Sequence, residues 1–224
     1  MAHELILSLH GIGTPHDGVS IDESFFWIAR QTFTTLLDDI VAAPPPDVPV
    51  IITFDDGNAS DAAIALPELA KRGLKGTFFV CAGRIGAPNY LDHLALADLI
   101  AAGMQIGTHG KDHRNWRQID GSTLDAELGD ARRRIEDVCG MAVTKAAIPF
   151  GSYDRRLLQR LRREHFECIY TSDRGLAESD AWLKPRDTVD STWLETDIKR
   201  VLIAKPSLKA RLRRNSAMLY KRLR

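Results

Sequence analysis

Short apolar segments alternate with longer amphipathic ones along most of this 224-residue chain. The short segments are rich in β-branched and aromatic residues and predict strands, whereas the longer ones repeat their apolar positions at helical spacing. Glycine-containing turn signals separate the two types. The predicted strands are Leu5–Leu9, Val48–Thr53, Gly76–Cys81, Gln105–Thr108, Thr144–Ile148 and Cys168–Thr171. The predicted helices are Ser24–Ile40, Asp61–Arg72, Leu94–Ala102, Thr123–Val138 and Arg155–Glu164.

The alternation of strands and helices with short connections is typical of parallel βα units. Six or seven such units favour a barrel, complete or distorted, over an open sheet. We therefore predict an α/β fold with a distorted (β/α) barrel of about seven parallel strands. We expect residues 1–198 to form this barrel and residues 199–224 to form a separate tail.

Composition narrows the class of protein. The chain is 44% hydrophobic and 27% charged, as soluble globular proteins are, and its formal net charge of zero argues against a nucleic-acid-binding surface. No apolar run is long enough to span a bilayer, and the N-terminus has no basic secretory n-region. The three cysteines lack CxxC spacing. These features predict a cytoplasmic protein with free thiols.

The zero net charge is the sum of two unlike parts. Residues 1–198 contain 20 basic and 30 acidic residues, whereas residues 199–224 contain ten basic residues and no acidic one. Apolar residues lie among the basic ones at partly helical spacing, with a break at Pro206. Such a segment either makes peripheral contact with an anionic membrane face, binds an acidic glycan, or packs on the barrel as a solvated helix.

Two polar clusters follow predicted strands. Asp55 and Asp56 follow the second strand, and paired acids at the carboxyl end of a parallel strand lie where such folds place their active sites. The alternative for these acids is an Asx turn that caps the next helix. His109 and His113 follow the fourth strand and are four residues apart, so that both imidazoles can reach one ion. One carboxylate with two histidines is a common catalytic zinc set.

A third cluster, Pro149-Phe150-Gly151, follows the fifth predicted strand. Pro149 stiffens the loop by fixing φ, and Gly151 permits a tight turn. In such a turn the backbone N–H of Phe150 can face the site as an oxyanion donor. Taken alone, the segment is better explained as a plain strand-to-helix turn.

These three motifs, in this order and at these spacings, resemble those of the polysaccharide deacetylase (NodB-homology) family. The resemblance extends from about Val48 to Arg186. It implies a NodB-like distorted (β/α) barrel and metal-dependent hydrolysis of an N-acetyl amide on a sugar.

The resemblance also implies a role for each matching residue. Asp56, His109 and His113 correspond to the metal ligands, Asp55 to the general base, and Phe150 to the residue whose N–H faces the oxyanion. The expected ion is Zn²⁺, although Co²⁺, Ni²⁺ and Fe²⁺ suit the same ligands.

The sequence departs from the family pattern at two points. The C-terminal Leu-x-His motif that supplies a general acid is absent, and Ala147 replaces the arginine that pairs with the base. His10 ends the first predicted strand, which would bring it to the same barrel edge as a general acid or substrate ligand; otherwise it bonds to its own loop. Arg186 is a candidate for the missing cation beside Asp55.

Two further residues have open roles. Asp173 corresponds roughly to an aspartate that orients a catalytic histidine in the family, or it caps a loop. Trp116 either stacks on a sugar ring or belongs to the core.

We therefore predict a metal-dependent hydrolase that deacetylates an N-acetylated amino sugar in a polysaccharide, oligosaccharide or glycolipid precursor, in the cytoplasm or at the inner membrane face. The alternatives are a hydrolase of O-acetyl esters or of a cyclic imide or ureide on the same scaffold, and a catalytically weakened glycan-binding relic. The sequence indicates no nucleic-acid partner and leaves the oligomeric state open.

Overall fold

The computed structural model describes residues 2–42, 48–193, 216 and 218–223. Nine strands form one sheet, in the order β7-β1-β2-β3-β4-β5-β6-β8, and β9 pairs with β1. All the pairings are parallel except that of β7 with β1. The strands are β1 His3–Leu9, β2 Val50–Asp56, β3 Gly76–Val80, β4 Gln105–Thr108, β5 Lys145–Ala147, β6 Cys168–Thr171, β7 Ala177–Glu178, β8 Leu183–Pro185 and β9 Asp187–Thr188.

Helices connect most of the parallel strands. Their bounds are α1 Ile21–Ser24, α2 Arg30–Ala42, α3 Leu66–Lys71, α4 His93–Ala101, α5 Gly121–Asp125, α6 Ala131–Cys139 and α7 Arg155–Arg163. The predicted helix Ser24–Ile40 is wrong in its first part, because α1 ends at Ser24 and Ile28 pairs with Ile12 in an isolated parallel bridge. The chain between α1 and α2 therefore makes a turn at Phe25 and Phe26 before the bridge at Ile28, and both phenylalanines line the mouth of the barrel.

The sheet curves into a nearly closed barrel, and the seam lies at Arg186. The consecutive strands β8 and β9 are separated by this one residue, yet β8 pairs with β6 while β9 pairs with β1. One short stretch of chain therefore joins the first and last parallel strands. Arg186 is completely buried at the point of transfer, so its side chain must have polar partners inside the barrel.

The strands are mostly buried on both faces, which is usual where helices cover a parallel sheet. Strand β3, for example, is buried at all five positions. Cys81 and Cys168 are buried and Cys139 is partly buried, and all three are free. Within the described residues, no helix is both long enough and apolar enough to span a membrane.

Most of the predicted tail, residues 199–224, lies outside the described residues. Its described residues, 216 and 218–223, are helical. Met218 is buried, and Lys221 forms an ion pair with Asp173 in the loop after β6. At least the end of this segment therefore packs on the barrel.

Candidate active site

A cavity of about 420 Å³ opens at the carboxyl ends of the parallel strands. Strands β2 and β9 and the loops after β1, β4, β5, β6 and β9 contribute its walls, as expected for a parallel barrel. The lining residues are His10, Glu23, Phe25, Phe26, Asp55, Asp56, His109, His113, Ile148, Phe150, Ser172, Arg174, Thr188 and Asp190.

Asp55 and Asp56 are the last two residues of β2 rather than part of the following turn. Successive strand residues normally point to opposite faces. Asp56, however, has a φ of 78° and is followed by Gly57 with a φ of 74°, so the backbone reverses there. Both carboxylates consequently lie 3.9 Å from Nε2 of His109.

Asp56, His109 and His113 form a cluster with the composition of a metal site. One ligand atom from each residue lies within 4.8 Å of the other two. Oδ1 of Asp56 lies 3.9 Å from His109 Nε2 and 3.4 Å from His113 Nε2. Ligands about 2.0–2.2 Å from a shared Zn²⁺ would have similar separations.

Two further observations show that these donors fit a divalent ion. Among the described residues, Asp56 Oδ1 is buried without a hydrogen-bond partner, and the Arg84 guanidinium lies 3.5 Å from it. His109 Nδ1 lies 2.8 Å from the carbonyl oxygen of Ala147, which fixes this nitrogen as the donor and leaves the Nε2 lone pair facing Asp56. Burial lowers the pKa of His109 to about 4, so its imidazole is neutral at pH 7.

Glu127 holds the loop that carries the two histidines. It is buried in a π-helical turn between α5 and α6, and it accepts hydrogen bonds from the backbone N–H groups of Lys111 and Asp112. Trp116 Nε1 donates to the same carboxylate. Trp116 is completely buried, so the suggestion that it stacks on a sugar is wrong: the indole belongs to the core beneath the loop.

Asp55 has a different set of partners. Arg186 donates to both of its carboxylate oxygens at 2.7 Å, and Ser8 Oγ donates to Oδ2 at 3.3 Å. Burial alone would raise the pKa of Asp55, but the adjacent Arg186 guanidinium outweighs it and holds the pKa well below its ordinary value. Arg186 also donates to Thr53 Oγ1 at 3.0 Å. Arg186 thus lies where a cation can compensate for Ala147.

His10 lies on the Asp55 side of the cavity. Its Nε2 is 4.0 Å from Asp55 Oδ2, and its ring is 5.1 Å from the ring of Phe26. Its Nδ1 is buried without a hydrogen-bond partner, so the alternative in which His10 bonds to its own loop has no support in the described residues. The imidazole is held by packing and faces the cavity.

The Pro149–Gly151 loop is a single 3₁₀ turn in which Phe150 has a φ of 60°. Pro149 is buried at the start of this turn, whereas the Phe150 ring is largely exposed and lies 4.6 Å from the ring of His113. The Phe150 N–H occurs in the first turn, where a helical amide has no intrahelical acceptor. Such a group suits an oxyanion, and the ring forms one rim of the cavity.

Asp173 supports this loop from beneath. Its Oδ2 accepts hydrogen bonds from Tyr153 Oη and Thr171 Oγ1, both at 2.8 Å. Lys221 pairs with Asp173 Oδ1 at 2.6 Å and donates to the Gly151 carbonyl oxygen at 3.3 Å. The described contacts of Asp173 are therefore with a tyrosine, a threonine and a lysine, and the suggested pairing with a histidine is not among them.

Glu23 and Asp61, like Glu127, have no counterpart in the sequence prediction. Glu23 Oε1 is 3.8 Å from His113 Nδ1 and 3.9 Å from Arg84. Its position follows from a capping box with Ser20, a pattern readable in the sequence but not as part of a site. Asp61 is completely buried, and neither of its carboxylate oxygens has a hydrogen-bond partner in the part of the chain that the structure describes.

Backbone strain is concentrated around the cavity. Of the six described non-glycine residues with positive φ, four line it: Asp56, His113, Phe150 and Arg174. Each such conformation costs about 1–3 kcal/mol and is retained mainly where function requires it. The fold and the site together define a parallel barrel whose cavity contains an Asp-His-His cluster with the composition of a metal site.

The sequence comparisons give the family. The polysaccharide deacetylase family model matches residues 42–169. The chain is 26% identical over 136 residues to the polysaccharide deacetylase homologue YxkH of Bacillus subtilis, covering 61% of this chain and 49% of that protein. It is 28% identical over 120 residues to chitin deacetylase 1 of Cryptococcus neoformans, covering 53% of this chain and 24% of that protein. The chain thus spans half or less of these curated relatives.

Solved structures show the same fold. The deacetylase PplD of Streptococcus pyogenes, solved with acetate, has a TM-score of 0.77 at 19% identity and covers 91% of this chain and 99% of its own. IcaB of Ammonifex degensii has a TM-score of 0.74 at 20% identity and covers 90% and 96%. This chain belongs to the polysaccharide deacetylase family, a family of hydrolases.

Proposed function

We propose that this protein is a divalent-metal-dependent hydrolase that removes the acetyl group from an N-acetylated amino sugar of a glycan or glycolipid precursor. The observation that carries the proposal is the contrast between Asp56, with an orphan oxygen facing two histidines, and Asp55, ionised by Arg186 beside them. Family membership supports the same chemistry.

Asp56, His109 and His113 would hold the ion. When bound there, Zn²⁺ or a similar ion supplies Lewis acidity and lowers the pKa of an adjacent water. Asp55, ionised at neutral pH, accepts a proton from the water that attacks the acetyl carbonyl carbon. The Phe150 N–H donates to the oxygen of that carbonyl as negative charge develops on it.

Cleavage of the carbon–nitrogen bond requires a proton on the departing nitrogen. His10 is the proposed donor because it faces the cavity within 4.0 Å of Asp55. The products are then acetate and the free amine of the sugar.

Ala147 and the missing C-terminal histidine are the features that favour the alternative of a catalytically weakened glycan-binding relic. Arg186 supplies a cation at Asp55, and His10 supplies an imidazole on the same side of the cavity. These two residues favour an active enzyme. The cytoplasmic location stays a prediction.

The test is release of acetate from N-acetylglucosamine oligomers, with an O-acetylated xylan oligomer in parallel, before and after chelation with EDTA. We expect acetate from the N-acetyl substrate, loss of activity with EDTA and recovery with Zn²⁺ or Co²⁺. Acetate from the ester alone would favour the esterase alternative. Ion uptake without release from either substrate would contradict the proposal and favour the relic.

A further inference from the structure

A groove distinct from the catalytic cavity lies between α7, the β7–β8 region and helical residues 218–223. It has a volume of about 520 Å³, and a neighbouring cavity of about 420 Å³ shares four of its lining residues. Arg155 and Arg162 come from α7, and Arg222 comes from the end of the chain. Glu178 is the one acidic residue among the described lining residues, so the groove is positively charged.

The α7 arginines differ in what they contact. Arg160 pairs with Asp125 and Glu164, and Arg156 donates to three backbone carbonyls, so both of these contribute to internal structure. Arg155 and Arg162 form no ion pair within the described part of the chain, although Arg162 lies over the Trp182 indole at 3.6 Å. These two are seven residues apart and share a helix face, which leaves a pair of cationic groups directed at the groove.

Exposed apolar side chains lie on the helical residues at the end of the chain. Leu219 lines the neighbouring cavity, and Leu223 follows it by four residues on the same helix face. They are 55% and 66% exposed, whereas Met218, which lines the same cavity as Leu219, is buried and anchors the helix on the barrel. Exposed leucines beside cationic groups are typical of surfaces that insert into the headgroup region of a bilayer.

We propose that this basic groove, together with Leu219 and Leu223, docks the protein on an anionic lipid surface. The charge of this surface favours an anionic partner. Arg155 and Arg162 have no ion pair within the described residues, and the C-terminal sequence 199–224, to which Leu219 and Leu223 belong, has ten basic residues and no acidic one. The leucines favour a bilayer over a soluble polyanion because an acidic glycan offers no apolar phase to receive them.

The docking surface lies near the catalytic cavity, which is relevant to the proposed function. Helical residues 218–223 contain both Arg222, which lines the groove, and Lys221, which contacts Gly151 and Asp173, the sequence neighbours of residues that line the catalytic cavity. Docking would therefore bring a lipid surface close to the cavity. The inference does not require the proposed chemistry, because lipid binding is measured without turnover.

The test is co-sedimentation of the full chain with phosphatidylcholine vesicles and with vesicles that also contain phosphatidylglycerol. We expect binding to the anionic vesicles alone, and release in 1 M salt. Arg155→Gln/Arg162→Gln should weaken binding by about 30-fold, from two charges near the surface. Leu219→Ser/Leu223→Ser should also weaken it, because the inserted area is lost.

The matched control is Arg30→Gln/Arg133→Gln, which removes the same charge from two exposed arginines that already pair with acids. This control should bind as the wild type does. Equal loss in the control and the groove variant would show a net-charge effect and overturn the proposal. Binding that is unchanged in both groove variants, retention on an acidic polysaccharide without vesicle binding, or self-association through this face would overturn it too.

Discussion

The candidate active site has two halves whose aspartates are adjacent in sequence but differ in their surroundings. In the proposed metal half, which consists of Asp56, His109 and His113, a buried carboxylate oxygen faces two imidazoles and has no hydrogen-bond partner among the described residues. In the base half, which consists of Asp55, Arg186 and His10, both carboxylate oxygens accept bonds from a guanidinium. One acid thus has a free oxygen that could bind an ion, whereas both oxygens of the other are held by a guanidinium. In the proposed mechanism, the partners of the two acids, rather than their residue type, determine their different functions.

The sharpest way to separate the halves is Asp55→Asn, which should remove the base and leave the metal ligands. We expect acetate release to fall by about 10²–10⁴-fold, the usual contribution of a general base, with ion binding retained. Asp180→Asn, an exposed acid elsewhere, is the control and should leave turnover unchanged. Wild-type turnover in Asp55→Asn would remove Asp55 from the mechanism.

The base half depends on a buried ion pair, which Arg186→Met breaks. We expect the free energy of unfolding to fall by about 3–5 kcal/mol, because Asp55 is left buried without its cation. Urea denaturation of the metal-free protein measures this change, and Arg186→Lys should lose less.

The stability lost in Arg186→Met should depend on pH, and the direction of that dependence follows from the pKa of Asp55. In the wild type the pKa of Asp55 is held low, so its contribution to stability is present above the unfolded pKa of about 4 and is lost as pH falls further. Without Arg186, burial raises that pKa and penalises the folded state at neutral pH. The difference between wild type and Arg186→Met should therefore be largest near pH 7 and shrink below pH 4. A difference that grows toward acid pH would contradict this account.

A substitution at His10 tests whether the base half also supplies the general acid that protonates the leaving amine. His10→Gln should lower turnover by about 10²-fold while ion binding and the unfolding temperature stay close to those of the wild type. The control is His93→Gln, at an exposed position on α4. Full turnover in His10→Gln would assign protonation of the leaving amine to another group.

The smallest expected effect is on stability and concerns Asp61, a buried carboxyl near both Asp56 and Asp55. Burial and the nearby Asp56 and Asp55 raise its pKa well above the ordinary value, so the folded protein keeps this carboxyl protonated where the unfolded chain ionises it. Stability is therefore lost as pH rises above about 4.

Asp61→Asn should raise the free energy of unfolding of the metal-free protein by about 1–3 kcal/mol at pH 7, and the gain should fade toward pH 4. Asp98→Asn, at an exposed position on α4, should change stability little at either pH. A loss of stability at pH 7 in Asp61→Asn would show that the ionised carboxylate has a stabilising partner.

The metal half was largely predictable from the sequence, and the base half only in part. Asp56, His109 and His113 lie in short motifs at strand ends, where a parallel barrel brings side chains to one edge. Arg186, by contrast, is 131 residues from Asp55, and its position depends on the transfer of the chain from β6 to β1 at the seam. No short sequence motif predicts how the barrel closes at that seam.

Other parts of the structure depend on tertiary packing, which the spacing of apolar residues along the sequence does not predict. The predicted helix from Ser24 fails because the chain there turns to pair Ile28 with Ile12. Glu127 lies 14 residues beyond His113 in an ordinary amphipathic helix pattern, and only its burial in a π-helical turn brings it beneath the histidine loop. Trp116 lies in the core beneath the same loop, and its position likewise depends on tertiary packing.

The central claim is that Asp56, with the two histidines, holds a divalent ion that Asp55 does not bind. Calorimetric titration of the EDTA-treated, dialysed protein with Zn²⁺ tests it directly, with Asp56→Asn and Asp55→Asn compared in the same buffer. The account predicts one tight site in the wild type and in Asp55→Asn, and at least about 100-fold weaker binding in Asp56→Asn, since one of three protein ligands is lost. A wild type that takes up no ion, or equal binding in the wild type and Asp56→Asn, would contradict it.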